Sequence, residues 1–192
     1  MILSNLSILE AIKQRFLMIE NLAGVDPACA PFNTSSVDLR LGHEIIIPKR
    51  AKKPLDLRCS YPGEMLYRTS KRVQISESKP YRLKPYTFVL GTTVEKVAFP
   101  RNPNGPCYSA RVEGKSSRAR FGLLVHMTAP TIHCDFTGLI TLEIMNVGPT
   151  DIWLHPSVYI CQLIVEQVDQ QPYSAPNQFI GQQNPIGSEN YT

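Results

Sequence analysis

Two short runs in this sequence carry the residues best suited to chemistry. The first is Glu113-Gly114-Lys115-Ser116-Ser117-Arg118-Ala119-Arg120. Gly114 lets the backbone come close to a ligand. Lys115 and Arg120 supply positive charge, and two hydroxyls lie between them. Backbone N–H groups, hydroxyls and cations so close together suit a phosphate cradle. The spacing is not that of a Walker A loop, and a polar turn opening a helix has the same composition. The second run is Leu139-Ile140-Thr141-Leu142-Glu143-Ile144-Met145-Asn146. In a strand, Ile140, Leu142 and Ile144 share one face, and Thr141 and Glu143 share the other. A carboxylate placed this way faces either water or a pocket, and in a pocket it shuttles protons.

A third feature is negative. Zinc-dependent nucleobase deaminases need H-x-E followed by P-C-x-x-C, and neither motif occurs here. His126, His133 and Cys134 are close in sequence but lack the further ligands that a zinc site requires. Hydrolysis at these residues would therefore rest on a carboxylate and its polar neighbours. Magnesium would arrive on a substrate's phosphates.

The elements that must position these runs are mostly strands. Val37, Leu39 and Leu41 alternate with Asp38, Arg40 and Gly42, and Ile45–Ile47 is a β-branched run closed by Pro48. Tyr81–Leu90 and Thr92–Ala98 read as two strands around Gly91, and Pro100–Pro106 reads as a turn. Cys107–Val112, Leu123–Met127, Leu139–Asn146 and Val158–Val168 are further short strands. This spacing predicts a sandwich, barrel or jelly roll. Ahead of the strands, Ile8, Ile12 and Phe16 form a helical stripe, with Ser7–Glu10 as a capping box and Ser4 as a competing cap. Residues 49–80 read as loop-rich, with a basic cluster at Lys49, Arg50, Lys52 and Lys53.

Bulk properties bound the rest. The chain has 192 residues, of which 43% are hydrophobic and 19% charged, as expected for one globular domain. A net charge of +4 is too small to argue for nucleic acid. No stretch approaches the roughly 20 apolar residues of a membrane span, and Met1–Glu10 does not read as a secretory signal. Cys29, Cys59, Cys107, Cys134 and Cys161 are scattered and never form Cys-x-x-Cys. They read as reduced thiols, mostly core filler, in a cytoplasmic protein. The domain is expected over 1–169. The Gln-, Asn-, Pro- and Ser-rich segment 170–192 is expected to be a flexible tail.

Taken in order, these motifs resemble the dCTP deaminase family of the dCTP deaminase and dUTPase superfamily. The run Glu113-Gly114-Lys115-Ser116-Ser117-x-Ala119-Arg120-x-Gly122-Leu123 is similar to that family's signature. So are Val125-His126-x-Thr128-Ala129 and Phe136-x-Gly138-x-Ile140-Thr141-Leu142-Glu143-x-x-Asn146. Ser36–Gly42 resembles the early S-x-D-L-R-L-G motif, Ile160-Cys161-Gln162-Leu163 the I-G-Q-L strand, and Gly181-Gln182 the tail motif.

The resemblance implies a mainly β, distorted jelly-roll or barrel-like fold with an N-terminal helix and a few short helices. It also implies a homotrimer with active sites between subunits, to which Asp38-Leu39-Arg40 would contribute. Glu143 then takes a proton from the attacking water and passes it toward the cytosine ring. Ser116 and Arg120 orient that water, while Lys115 and Ser117 touch phosphate. Thr128 and Ala129 read the pyrimidine edge, and His126 lies near the water and base in a segment linked to dTTP feedback. Gln162, Gln178 and Gln182 would lie at the substrate, with the tail closing over the nucleotide.

Four departures stand out. His133 occupies the place of an aspartate that contacts the sugar 3′-OH and, in dUTPases, activates water at the α-phosphate. Asp135 replaces a glycine, and Pro156-Ser157 replaces a Pro-Gly turn. In the tail, Gln178 and Phe179 replace a cation and a phenol. The expected reaction is dCTP plus water giving dUTP and ammonia, with Mg2+ on the triphosphate and no zinc. A dUTP diphosphatase or bifunctional enzyme is the alternative, as is a catalytically weak nucleotide-binding regulator on the same scaffold.

Overall fold

The computed structural model describes residues 1–51, 54, 56, 58, 69–174 and 181–183. Lys52, Lys53, Cys59, Gln178 and Phe179 lie outside them. Helix α1 (Asn5–Lys13) opens the chain and packs Ile8 and Ala11 inward. Ser4 is its N-cap and accepts from Ser7 N–H at 3.3 Å, so the competing cap prevails over the Ser7–Glu10 box.

Two antiparallel sheets follow. One contains β1 (Met18–Glu20), β4 (Glu44–Pro48), β5 (Ser70–Gln74), β7 (Phe88–Ala98), β9 (Leu123–Val125) and β11 (Thr137–Asn146). Its order is β5-β4-β7-β11-β9, with β1 also on β7. The other holds β2 (Phe32–Asn33), β3 (Ser36–Arg40), β8 (Tyr108–Gly114), β10 (Thr131–Ile132) and β13 (Tyr159–Gln167), in the order β10-β8-β13-β3-β2. β6 (Tyr81–Leu83) and β12 (Ile152–Leu154) make a separate pair. The fold is mainly β, as expected, in open sheets rather than a closed barrel.

Alternation explains the core. Ile45, Val89, Val97, Ile140, Leu142 and Ile144 of the first sheet join Val37, Leu39, Val112, Leu163 and Val165 of the second in one buried cluster. Gly91 does not interrupt a strand. A Cβ there would lie 3.0 Å from Leu41 Cδ1 and 3.3 Å from Ile144 Cδ1, so the glycine makes room for the facing side chains while β7 runs through it. The break comes earlier, at Pro85–Tyr86, where Tyr86 takes a φ of +56°. β5 falls inside the stretch read as loop. Asp135 (φ +76°) and Ser157 (φ +61°), which stand where the sequence resemblance implied glycine, take left-handed conformations. Asp135 is tied there by Arg101, Nε to Oδ2 at 2.9 Å.

Asp38, Leu39 and Arg40, expected at a subunit contact, are used within the chain. Leu39 is in the core, Asp38 pairs with Lys115, and Arg40 pairs with the fully buried Glu95. Cys107 and Cys161 are buried as expected, but Cys29 is exposed and Cys134 only half-buried.

Candidate active site

Glu143 stands opposite Leu90 in the β11–β7 register, and Leu90 stands opposite Ile46 of β4. Directly opposed residues point to the same side of a sheet. Glu143 therefore lies on the face turned away from the main core, in line with a second, small apolar cluster of Ile46, Leu90 and Phe88. Its neighbours on that face include Met145, which is opposite Leu124 of β9.

The end of β9 fixes the carboxylate. His126 N–H donates to Glu143 O at 2.7 Å, and His126 then adopts a φ of +65°, which turns the chain back. Met127 and Thr128 N–H groups consequently donate to Glu143 Oε2 at 3.0 and 3.3 Å. No described residue donates to Oε1. The His126 ring closes the turn through Nε2 and Ala129 O at 2.6 Å. A carbonyl can only accept, so Nε2 carries the proton. Nδ1 is buried and has no partner among the described residues.

Helix α2 (Ser116–Ala119) runs beside β9 and is anchored at both ends. Before it, Lys115 is ion-paired with Asp38, and Gln162 Nε2 donates to Gly114 O at 3.5 Å. After it, Gly122 has a φ of +86°, and a Cβ there would lie 2.3 Å from Gly148 N. Gly148 N–H donates to Asn146 Oδ1 at 2.9 Å, while Asn146 Nδ2 donates to Leu83 O and Thr150 O. The glycine pair and the buried Asn146 thus set how closely α2 approaches the end of β11. Sequence reading quoted Asn146 at the end of the family-like motif without a role and did not use Gly148; the available signal was an amide closing a strand with a turn glycine two residues on. A groove of about 650 Å³ opens between these segments, lined among others by Arg118, Arg120, Phe121, Pro149 and Asp151.

The remaining expected site residues do not all gather at Glu143. Ser116, Ser117 and Arg120 are exposed, and no hydrogen bond joins them to Glu143 among the described residues. Thr128 N–H holds Glu143, while the Ala129 carbonyl is engaged by the His126 ring. His133 is exposed, and no described residue bonds its ring. Gln162 has both ends of its amide occupied beneath the cradle, by Ser36 Oγ at 3.1 Å and by Gly114 O. Gln182 is 4% exposed and lies against β11. Its carbonyl accepts from Leu139 N at 2.9 Å, and its side-chain amide donates to Leu139 O and Thr141 Oγ1. Gln178 lies outside the described residues. Among the described residues, no three His, Cys, Asp or Glu side chains converge as a metal cage, and no helix is long and apolar enough to cross a membrane.

Comparison with known proteins identifies the family. Residues 2–168 match the dCTP deaminase-like family. A protein of Dictyoglomus turgidum named "dCTP deaminase, dUMP-forming" is 33% identical, over 98% of this chain and 94% of that protein. A dCTP deaminase of Haloarcula marismortui is 35% identical over the same shares. The crystal structure of a 2′-deoxycytidine 5′-triphosphate deaminase from Agrobacterium tumefaciens superposes with a TM-score of 0.64 at 22% identity, and so speaks to the fold alone. It is covered over 47% of its length, so this chain spans about half of that one. With a match along nearly its whole length, the chain belongs to the dCTP deaminase-like family.

Proposed function

We propose that this protein is a zinc-independent dCTP deaminase that converts dCTP and water to dUTP and ammonia. The observation that carries this reading is the Glu143 carboxylate. One oxygen is held by two backbone N–H groups, and the other meets no described donor. In this reading Oε1 takes a proton from the water that attacks C4 of the cytosine, and passes it toward the ring as the amine departs. Ser116 and Arg120 orient the water and stabilise the charge that develops. Lys115 and Ser117 hold phosphate. The donor set on the Gly114–Arg120 segment is cationic and hydroxylic, so it suits phosphate oxygens rather than a bare cation. Mg2+ accordingly enters with the substrate's triphosphate.

A homotrimer completes the site. Phe121 in the groove wall is 70% exposed, and Met127, whose N–H holds Glu143, is 41% exposed; a neighbouring subunit would cover such apolar side chains. Light scattering should give about three times 21.6 kDa. In this reading residues 1–169 form the domain, and the tail from 170 closes over the nucleotide, with Gln182 at its docking point on β11. The ligands are dCTP, dUTP and dTTP, without nucleic acid or membrane. The described cysteines are free thiols, which fits the cytoplasm.

The second reading, a bifunctional enzyme that continues to dUMP, is favoured by relatives named as dUMP-forming. His133 speaks against it, since a neutral imidazole is a poor replacement for a carboxylate that must activate water at phosphorus. The deciding experiment incubates the purified protein with dCTP and then with dUTP, and resolves ammonia, dUTP, dUMP and pyrophosphate. Ammonia and dUTP from dCTP support the proposal. Rapid pyrophosphate release from dUTP selects the second reading. No ammonia at all leaves a nucleotide-binding regulator.

A further inference from the structure

Lys115 stands at the foot of α2, and its ammonium meets the carboxylate of Asp38, which lies 77 residues earlier on β3. Asp38 is 7% exposed. Both of its oxygens are engaged: Oδ1 accepts from Asn33 Nδ2 at 2.9 Å, and Oδ2 accepts from Lys115 Nζ. Between them runs β13, where Gln162 is opposite both Asp38 and Glu113. Gln162 holds the Gly114 carbonyl and is itself held by Ser36. The backbone and the side chain of Gly114–Lys115 are thus tethered separately to the same patch of the second sheet.

An ammonium has three donors. Asp38 takes one, and no other described residue bonds Lys115 Nζ, so two remain. A free lysine stem samples many rotamers and loses them when it binds phosphate. A lysine already fixed by a buried, doubly bonded carboxylate has lost most of that freedom before the ligand arrives.

We propose that Asp38 is a positioning residue: it holds Lys115 in the conformation that meets the substrate's phosphates and leaves two of its N–H groups for them. The inference rests on the reading above that Lys115 contacts phosphate. It adds that the anion beneath strengthens phosphate binding, although a negative charge near a phosphate site would by itself weaken it.

The test measures binding of Mg2+-dCTP and of inorganic triphosphate, together with steady-state kinetics, for wild type, Asp38→Asn, Lys115→Met and the double variant. Asp38→Asn should raise the KM for dCTP about tenfold while kcat stays within about twofold, and should weaken inorganic triphosphate to a similar degree. The double variant should bind no worse than Lys115→Met, because Asp38 acts only through the lysine. Asn33→Ala, which removes just the orienting bond on Oδ1, should raise KM in the same direction by about twofold to threefold. It keeps the test decisive should Asp38→Asn fold poorly. Unchanged or tighter phosphate binding in both Asp38→Asn and Asn33→Ala, with Lys115→Met weakened, overturns the inference and leaves the phosphate reading intact. Binding unchanged in Lys115→Met overturns that reading and the inference with it.

Discussion

Glu95 and Glu143 lie on neighbouring strands of one sheet and meet opposite fates. Glu95, on β7, is fully buried, and both of its oxygens are taken by one residue: Arg40 N–H reaches Oε2 at 2.8 Å and Arg40 Nε reaches Oε1 at 2.6 Å. Glu143, on β11, is half-buried, has one oxygen clamped by a turn, and keeps the other open. A buried carboxylate with both oxygens bonded to an arginine holds the fold, because a proton it accepted would weaken that pair. A carboxylate fixed in direction but free at one oxygen can exchange a proton without rearranging the chain. If Glu143 is the base proposed above, the two glutamates differ less in their place in the sheet than in how many of their bonds the fold has already used.

The sharpest way to break the comparison is to remove each carboxylate. Glu95→Ala should lower unfolding free energy by about 3 kcal/mol, since it leaves Arg40 without its partner. Urea denaturation would measure this, while turnover per folded molecule should change little. Glu143→Gln should behave in the opposite way: kcat falls at least about a hundredfold, or roughly 2.7 kcal/mol, with dCTP binding and melting temperature close to wild type. Near-normal ammonia release by this variant would remove Glu143 from the chemistry.

A smaller change sharpens the contrast at the edge of the site. His133→Asp puts a carboxylate at an exposed position where no described residue bonds the present imidazole. Pyrophosphate release from dUTP should rise about fivefold over wild type, with deamination still possible. No increase would mean that geometry rather than residue type limits the second hydrolysis.

The smallest expected effect comes from thiols that follow the same rule. Burial, with Cys107 beside it, pushes the Cys134 thiol up to about 11, and burial also pushes Cys161 up. A thiol whose value is raised in the folded state favours the fold while it is protonated. That contribution is fully present below the unfolded value near 9 and is lost as pH rises from there through about 11. Melting temperature should therefore decline over this window, and Cys134→Ser should flatten part of the decline. An equal slope in both proteins would assign the alkaline loss to other groups.

Several of these features could be read from residue order. The alternation at 139–146 put Ile140, Leu142 and Ile144 on one side and Glu143 on the other, and the sheet keeps that division. The cluster at 113–120 became a strand end followed by a short helix, as its polar turn composition implied. Gly91 misled because glycine marks both chain breaks and close packing, and only the facing Leu41 and Ile144 decide between them. β5 was missed because Lys71 and Arg72 carry no apolar alternation, and its pairing comes from β4.

Local order therefore determined the strand faces, the family and the candidate reactive groups, since alternation and turn chemistry act over a few residues. The tertiary structure decided what those groups are free to do. Asp38 meets Lys115 across 77 residues, Gln182 finds the open edge of β11 across 43, and the turn after β9 takes one oxygen of Glu143 and leaves the other. These contacts are set by which strands become neighbours. A one-dimensional pattern reports which way a side chain points, but not what stands opposite to it.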